Sequence, residues 1–220
     1  MNASKVMKWS RGWNVIALAI VAGTFVLSAA ILPSLPPVVA THFDIHGEAN
    51  GFSSRTFAAY FMPVIELSLW ALLVLGGRLL PTDWRDRVAA SPMGAVVLVT
   101  VAFLSALHVL VLRAALSGVS ALGNGLPLLL GVAWLAIGVI LPRTRRNPFV
   151  GIRTAWTLSS DENWARTHRI GSYTFVGAGL VALVGGAIGG ASGTAVALTA
   201  IIVSAAIPIL YSWSIARHTS

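Results

Sequence analysis

What most constrains this chain is a series of unbroken apolar runs, each close to the roughly 20 residues that a helix needs to cross a hydrocarbon core of about 30 Å. Six can be counted, at about 13–32, 57–79, 93–116, 126–142, 171–190 and 195–215. Of the 220 residues, 56% are hydrophobic and only 10% charged. A soluble domain carries about 25% charged residues, so too little charge is present to cover a water-facing surface. The spans must be helices, because backbone N–H and C=O groups find no water in the bilayer core. Continuous runs also exclude the alternating segments of a closed β-barrel. The expected fold is all-α: a polytopic membrane protein with six transmembrane helices. Lys5, Lys8 and Arg11 precede the first run, which extends from Val15 to Leu32 and ends in Pro33-Ser34-Leu35-Pro36-Pro37. It is longer than a signal-peptide core and reads as a retained span.

The basic residues orient the spans. Lys5, Lys8 and Arg11 precede span one; Arg78, Arg85 and Arg87 lie between spans two and three. Arg143, Arg145, Arg146, Arg153, Arg166 and Arg169 lie between spans four and five, and Arg217 follows span six. Only Arg55 and Arg113 fall on the other side. The positive-inside rule then predicts both termini in the cytoplasm, and an odd number of spans would spoil the segregation. The formal charge of +8 follows from this topology and does not call for nucleic acid. The chain divides into a two-span region, 1–90, with an outer loop, and a four-span region, 91–220, with an inner loop over 142–170. Leu80-Pro81 and Leu141-Pro142 each precede arginines, as expected where proline stops a helix at the interface. Gly185, Gly186, Gly189, Gly190 and Gly193 repeat at intervals of four, a spacing that lets helix backbones approach closely.

Three polar groups interrupt the lipid-soluble pattern. The outer loop carries His42, Phe43, Asp44, His46, Gly47 and Glu48 as candidate contacts for an external ligand. In an extended segment His42, Asp44 and His46 share one face, and two imidazoles with a carboxylate are a donor set for Zn²⁺ or Cu²⁺. The alternative is that these side chains make local turn hydrogen bonds. Within the spans, Glu66 and His108 both fall roughly 12–14 Å below the outer surface, counted at about 1.5 Å per residue. A carboxylate at that depth needs a partner or a proton; the pair reads either as a proton or ligand site or as an interhelical hydrogen bond. Arg113 is a second candidate partner for Glu66.

The inner loop is the most distinctive run. Asn147, Gly151, Arg153, Thr154, Trp156, Thr157, Trp164, His168 and Arg169 are the candidate contacts for a cytoplasmic partner. Ser159 and Glu162 have capping-box spacing, which predicts a helix start at the end of the loop. Asp161 and Glu162 then sit at the positive helix end, and the tryptophans suit the membrane interface.

The run Gly151-Ile152-Arg153-Thr154-Ala155-Trp156-Thr157-Leu158-Ser159, continued by Trp164-Ala165-Arg166-Thr167-His168-Arg169, resembles the signature of the SdpI family of bacterial immunity proteins. The family usually has proline where this chain has Ala155. The outer segment from Leu35-Pro36 through His42-Phe43-Asp44 to Gly47-Glu48 resembles a domain of unknown function often joined to that family, in which asparagine is commoner than Asp44. The resemblance implies a multi-pass protein of the bacterial inner membrane that protects its host from a secreted toxic peptide and, with toxin bound, recruits a cytoplasmic transcriptional repressor. It implies contacts with membrane lipid, peptide and repressor, and none with nucleic acid directly. The rival reading is a metal- or proton-dependent membrane enzyme or carrier using His42, Asp44, Glu66 and His108. No HExxH pair, Walker motif, nucleophile elbow or dinucleotide fingerprint is present, so neither enzymatic activity nor a cofactor is expected.

Overall fold

The computed structural model describes residues 3–44, 48–118 and 122–217, with side chains except at 3–11 and 77–78. The elements are α1 (Ala3–Ile31), β1 (Val38–Phe43), β2 (Ala49–Ser54), α2 (Arg55–Leu75), α3 (Thr82–Ala89), α4 (Met93–Leu116), α5 (Gly125–Ile140), α6 (Ala155–Ser159), α7 (Asp161–Ile188) and α8 (Gly190–Arg217). Six segments are long and apolar enough to cross a membrane: Gly12–Ser34, Arg55–Leu75, Met93–Leu116, Gly125–Arg143, Asp161–Ile188 and Gly190–Arg217. All six expected spans are present. Their outward faces are apolar, with Val15, Val26, Leu72, Ile188, Ile202 and Leu210 among the exposed residues. That surface is suited to lipid rather than water.

Proline marks the helix ends as expected. Pro33 and Pro142 lie in short 3₁₀ turns that close α1 and α5, and Pro81 precedes α3. The helix of the fifth span starts at Asp161, at the end of the loop as expected and ahead of the apolar run from 171, but its cap is Ser160: the Ser160 hydroxyl accepts a hydrogen bond from Asn163 N at 3.2 Å. The expected box of Ser159 with Glu162 does not form. The Ser159 hydroxyl instead turns back to Trp156 O at 2.9 Å.

The helices pack as two groups of three. In the first, Ala17 and Val21 of α1 meet Val97 and Val101 of α4, with Trp70, Leu73 and Val74 of α2 against the same cluster. In the second, α5, α7 and α8 pack through glycines. A Cβ on Gly131 of α5 would lie 2.9 Å from the carbonyl oxygen of Gly179 on α7, and one on Gly193 of α8 only 2.2 Å from that of Gly185. Such contact between backbones replaces the hydrophobic drive that lipid cannot supply. Only part of the four-residue glycine spacing serves packing. Gly189 and Gly190 have φ of +76° and +64° and form the turn between α7 and α8, a conformation glycine adopts without steric cost.

The loop after α1 is more ordered than an extended segment. Strands β1 and β2 pair antiparallel, from Val38 opposite Ser54 to Phe43 opposite Ala49, with register shifts on either side of His42. Val39 and Leu35 anchor the hairpin on Ala58, Ala59 and Leu112. The Ser54 hydroxyl then accepts from Phe57 N at 3.3 Å and starts α2. Successive spans reverse direction, so this hairpin and the 143–160 segment lie at opposite ends of the bundle. They are called the hairpin end and the basic end below.

Candidate functional site

At the hairpin end, the candidate ligand residues are engaged locally. His42 Nδ1 is 2.6 Å from Asn50 Oδ1 across the strands. The Asp44 carboxylate accepts from Glu48 N at 3.0 Å, while Asp44 N donates to Glu48 O at 2.8 Å. These bonds tie Asp44 to Glu48. His42 and Glu48 are exposed, and Phe43 and Asp44 are half-buried. Ile45, His46 and Gly47 lie outside the described residues, and with His46 goes one member of the expected metal trio. Among the described residues no three His, Asp or Glu side chains converge.

In the interior of the first helix group, five polar side chains form a ladder. Thr24 and Ser28 lie one turn apart on α1, Ser105 and His108 one turn apart on α4, and Glu66 on α2; all five are buried. The Ser105 hydroxyl donates to Glu66 Oε2 at 2.9 Å, and Thr24 Oγ1 donates to Ser105 Oγ at 3.1 Å. Ser28 Oγ and His108 Nε2 are 2.8 Å apart. Glu66 and His108 therefore share one ladder through Ser105 and α1, without a bond between them. Among the described residues no cation pairs with Glu66, Arg113 included. Glu66 Oε1 and, one turn along α2, Trp70 Nε1 are buried without hydrogen-bond partners. Sequence reading missed Thr24, Ser28 and Ser105. The signal was the four-residue spacing of Thr24 and Ser28 on one face of α1 and the three-residue spacing of Ser105 from His108 on α4.

At the basic end, the distinctive residue types turn inward and tie the loop to itself. Asn147 is fully buried. Its amide nitrogen donates to Arg145 O at 2.7 Å and Val150 O at 3.0 Å, and its Oδ1 accepts from Phe149 N and Val150 N at 2.9 Å each. The side chain thus satisfies the backbone of a loop that has no regular structure of its own, where an unpaired buried group would cost about 1–3 kcal/mol. Thr157, also fully buried, donates to Ile152 O at 2.8 Å and accepts from Thr154 N at 2.8 Å. With the Thr154 hydroxyl accepting from Thr157 N, this forms a capping box that starts α6.

His168 closes the loop over α7. Its Nδ1 lies 2.8 Å from Trp164 O, and its Nε2 accepts from Ile152 N at 3.0 Å. These contacts assign the proton to Nδ1. The ring stacks on Trp164 with centroids 4.1 Å apart, and Trp164 Nε1 donates to Thr144 O at 3.0 Å. Gly151 sits directly above with φ of +125°; a Cβ there would lie 2.4 Å from His168 Nε2. Asn163 donates to Ser212 O at 2.9 Å, and Thr154 Oγ1 is 3.2 Å from Ser212 Oγ, so the cap is also sewn to the end of α8. Asp161 Oδ1 pairs with Arg87 at 2.7 Å and Arg146 at 2.8 Å, joining α3 to the same unit. Of the expected partner contacts, Asn147, Thr157, Trp164 and His168 are buried, and Gly151 and Thr154 are half-buried. Arg153, Trp156 and Arg169 are exposed. Thr144, Asn163, Asp161 and Ser212 complete the unit and were not singled out in the sequence.

Fold and sites together define a six-span helical membrane protein with a sewn basic cap at one end and a strand hairpin at the other. Residues 143–212 match the SdpI/YfhL protein family, and residues 19–67 match a domain of unknown function, DUF1648. The chain is therefore similar to the SdpI/YfhL family over its C-terminal part, behind a segment similar to DUF1648. The family match begins at the cap and ends at Ser212, the residue through which the cap is fastened to α8. No curated protein and no solved structure matches the chain.

Proposed function

We propose that this is an immunity and signalling protein of a bacterial cytoplasmic membrane, protecting its host from a secreted antimicrobial peptide. In this reading the basic end faces the cytoplasm, where the positive-inside rule puts it. The hairpin end meets the peptide through His42, Phe43, Asp44, His46, Gly47 and Glu48. The basic end holds a transcriptional repressor through Arg153, Trp156 and Arg169, while Asn147, Gly151, Thr154, Thr157, Trp164 and His168 shape the surface that displays them. The observation that carries this reading is the coincidence of the family match with the cap, a rigid unit whose outward side chains are basic and aromatic. Peptide binding would act by favouring one arrangement of the helices, which requires a different affinity for each. The test has two readouts. Peptide-sensitive cells expressing the chain should survive, and a tagged repressor should co-purify with it only after peptide exposure. The combination Arg153→Gln, Trp156→Ala and Arg169→Gln should abolish co-purification and leave survival intact. Unchanged recruitment by that variant refutes the docking surface, and no gain in survival from the unaltered chain refutes immunity.

A second reading draws on the ladder. A buried carboxylate with one unpartnered oxygen, in the same helix group as a buried imidazole, suits a proton-coupled carrier. Loss of all activity in Glu66→Gln, with normal expression, would favour it over signalling.

A further inference from the structure

The arginines at the basic end do more than satisfy topology. The positive-inside rule asks only that they lie on one side of the membrane, as Arg153, Arg166 and Arg169 do. Arg87 of α3 and Arg143, Arg145 and Arg146 of the turn after α5, by contrast, converge around one cavity of about 370 Å³. Four arginines line it against a single carboxylate, Asp161, which pairs with Arg87 and Arg146. The backbone of Arg145 is fixed: its N–H donates to Ser91 Oγ at 2.9 Å, and its carbonyl accepts from Asn147. Among the described residues its guanidinium has no hydrogen-bond or ion-pair partner. A fixed stem with an unpaired cationic head, in a lining whose one carboxylate is already shared by two arginines, leaves an excess of positive charge suited to an anion.

The depth of the cavity indicates the anion. Arg143 ends the fourth span, so the pocket opens where a helix leaves the apolar layer, at headgroup level. Trp164 supplies an apolar wall. Guanidinium groups match phosphate oxygens in a two-point fork, and basic pockets between spans are suited to lipid headgroups. We propose that the cavity between Arg87 and the Arg143–Arg146 turn is a binding site for a phosphate anion, presented by the headgroup of an anionic phospholipid. This inference does not depend on immunity or on a repressor.

The test uses the full chain in nanodiscs of phosphatidylcholine, with phosphatidylglycerol or inorganic phosphate as the probe. Arg145→Gln removes one cation without breaking an internal bond, Arg145→Lys keeps the charge, and Arg169→Gln removes a charge elsewhere at the same end. Phosphatidylglycerol binding should weaken about tenfold in Arg145→Gln, the equivalent of about 1.4 kcal/mol. It should recover much of that in Arg145→Lys and stay unchanged in Arg169→Gln. Inorganic phosphate should bind far more weakly than the lipid. If it binds tightly with the same Arg145 dependence while phosphatidylglycerol shows no preference, the same phosphate chemistry belongs to a soluble ligand. Equal affinity of the unaltered chain and Arg145→Gln for both probes overturns the site, as does equal weakening in Arg145→Gln and Arg169→Gln.

Discussion

The two groups of three helices solve the same problem with different chemistry. Lipid offers no hydrophobic reward for bringing helices together, so packing and interhelical hydrogen bonds must do it. The first group uses side chains: α1, α2 and α4 are joined by the ladder of Thr24, Ser28, Glu66, Ser105 and His108. The second uses the absence of side chains: α5, α7 and α8 approach through Gly131, Gly179, Gly185 and Gly193. The second group spends its hydrogen-bonding side chains at its end, on the cap. A polar interior can hold a proton or a ligand and adjust, whereas backbone contact at glycine fixes one geometry. The group that carries the cap is the one built on glycine.

Substitutions that add or remove single groups can break this contrast. The largest effect is expected in the second group. Gly193→Leu would drive a side chain into the Gly185 carbonyl and should cost about 3 kcal/mol or more, since neither backbone can yield; thermal unfolding in detergent measures it. By contrast Gly23→Ala, on α1 where nothing lies within 4 Å of the added carbon, should change stability by no more than about 1 kcal/mol, in the stabilising direction.

Next comes the cap. Asn147→Ala leaves Phe149 N and Val150 N without their acceptor and should cost about 2–3 kcal/mol. The loss should be local, seen as rapid proteolysis within 143–160 while the spans stay folded. In the first group, Ser105→Ala removes the donor to Glu66 and should cost about 1–3 kcal/mol. Glu66→Gln keeps an acceptor for Ser105 and should cost less, so the order of the two tests whether that bond holds the ladder. The smallest effect belongs to Trp156→Ala. Its side chain is exposed, and stability should move within about 0.5 kcal/mol, leaving any functional loss attributable to the surface.

Much of the fold was legible because lipid imposes a simple rule. Unbroken apolar runs, Pro33, Pro81 and Pro142 at their ends and arginines beyond them located all six spans. The hairpin was not legible. Val38–Phe43 alternates weakly, and its register depends on Gly51 opposite His42, where a Cβ would lie 2.8 Å from the His42 Cβ. The cap of α7 was misplaced by one residue, because Ser159 and Ser160 both resemble caps and only the backbone geometry chooses. The candidate residues of the inner loop were found, but not the direction they face. Residue type shows that Asn147, Thr157 and His168 can make many hydrogen bonds; only the folded loop shows that its own backbone receives them. The ladder was half visible, since Glu66 and His108 stand out in an apolar run whereas serine and threonine do not.

The account rests on a hairpin and a basic cap that face different compartments. The chain has no cysteine, so Phe52→Cys on β2 and Trp156→Cys on α6, both at exposed positions, can be made singly and labelled in sealed cells with a membrane-impermeant maleimide. The account predicts that the thiol at 52 reacts at once and that the thiol at 156 reacts only after the membrane is opened. Reaction of both thiols from outside the intact cell would contradict it.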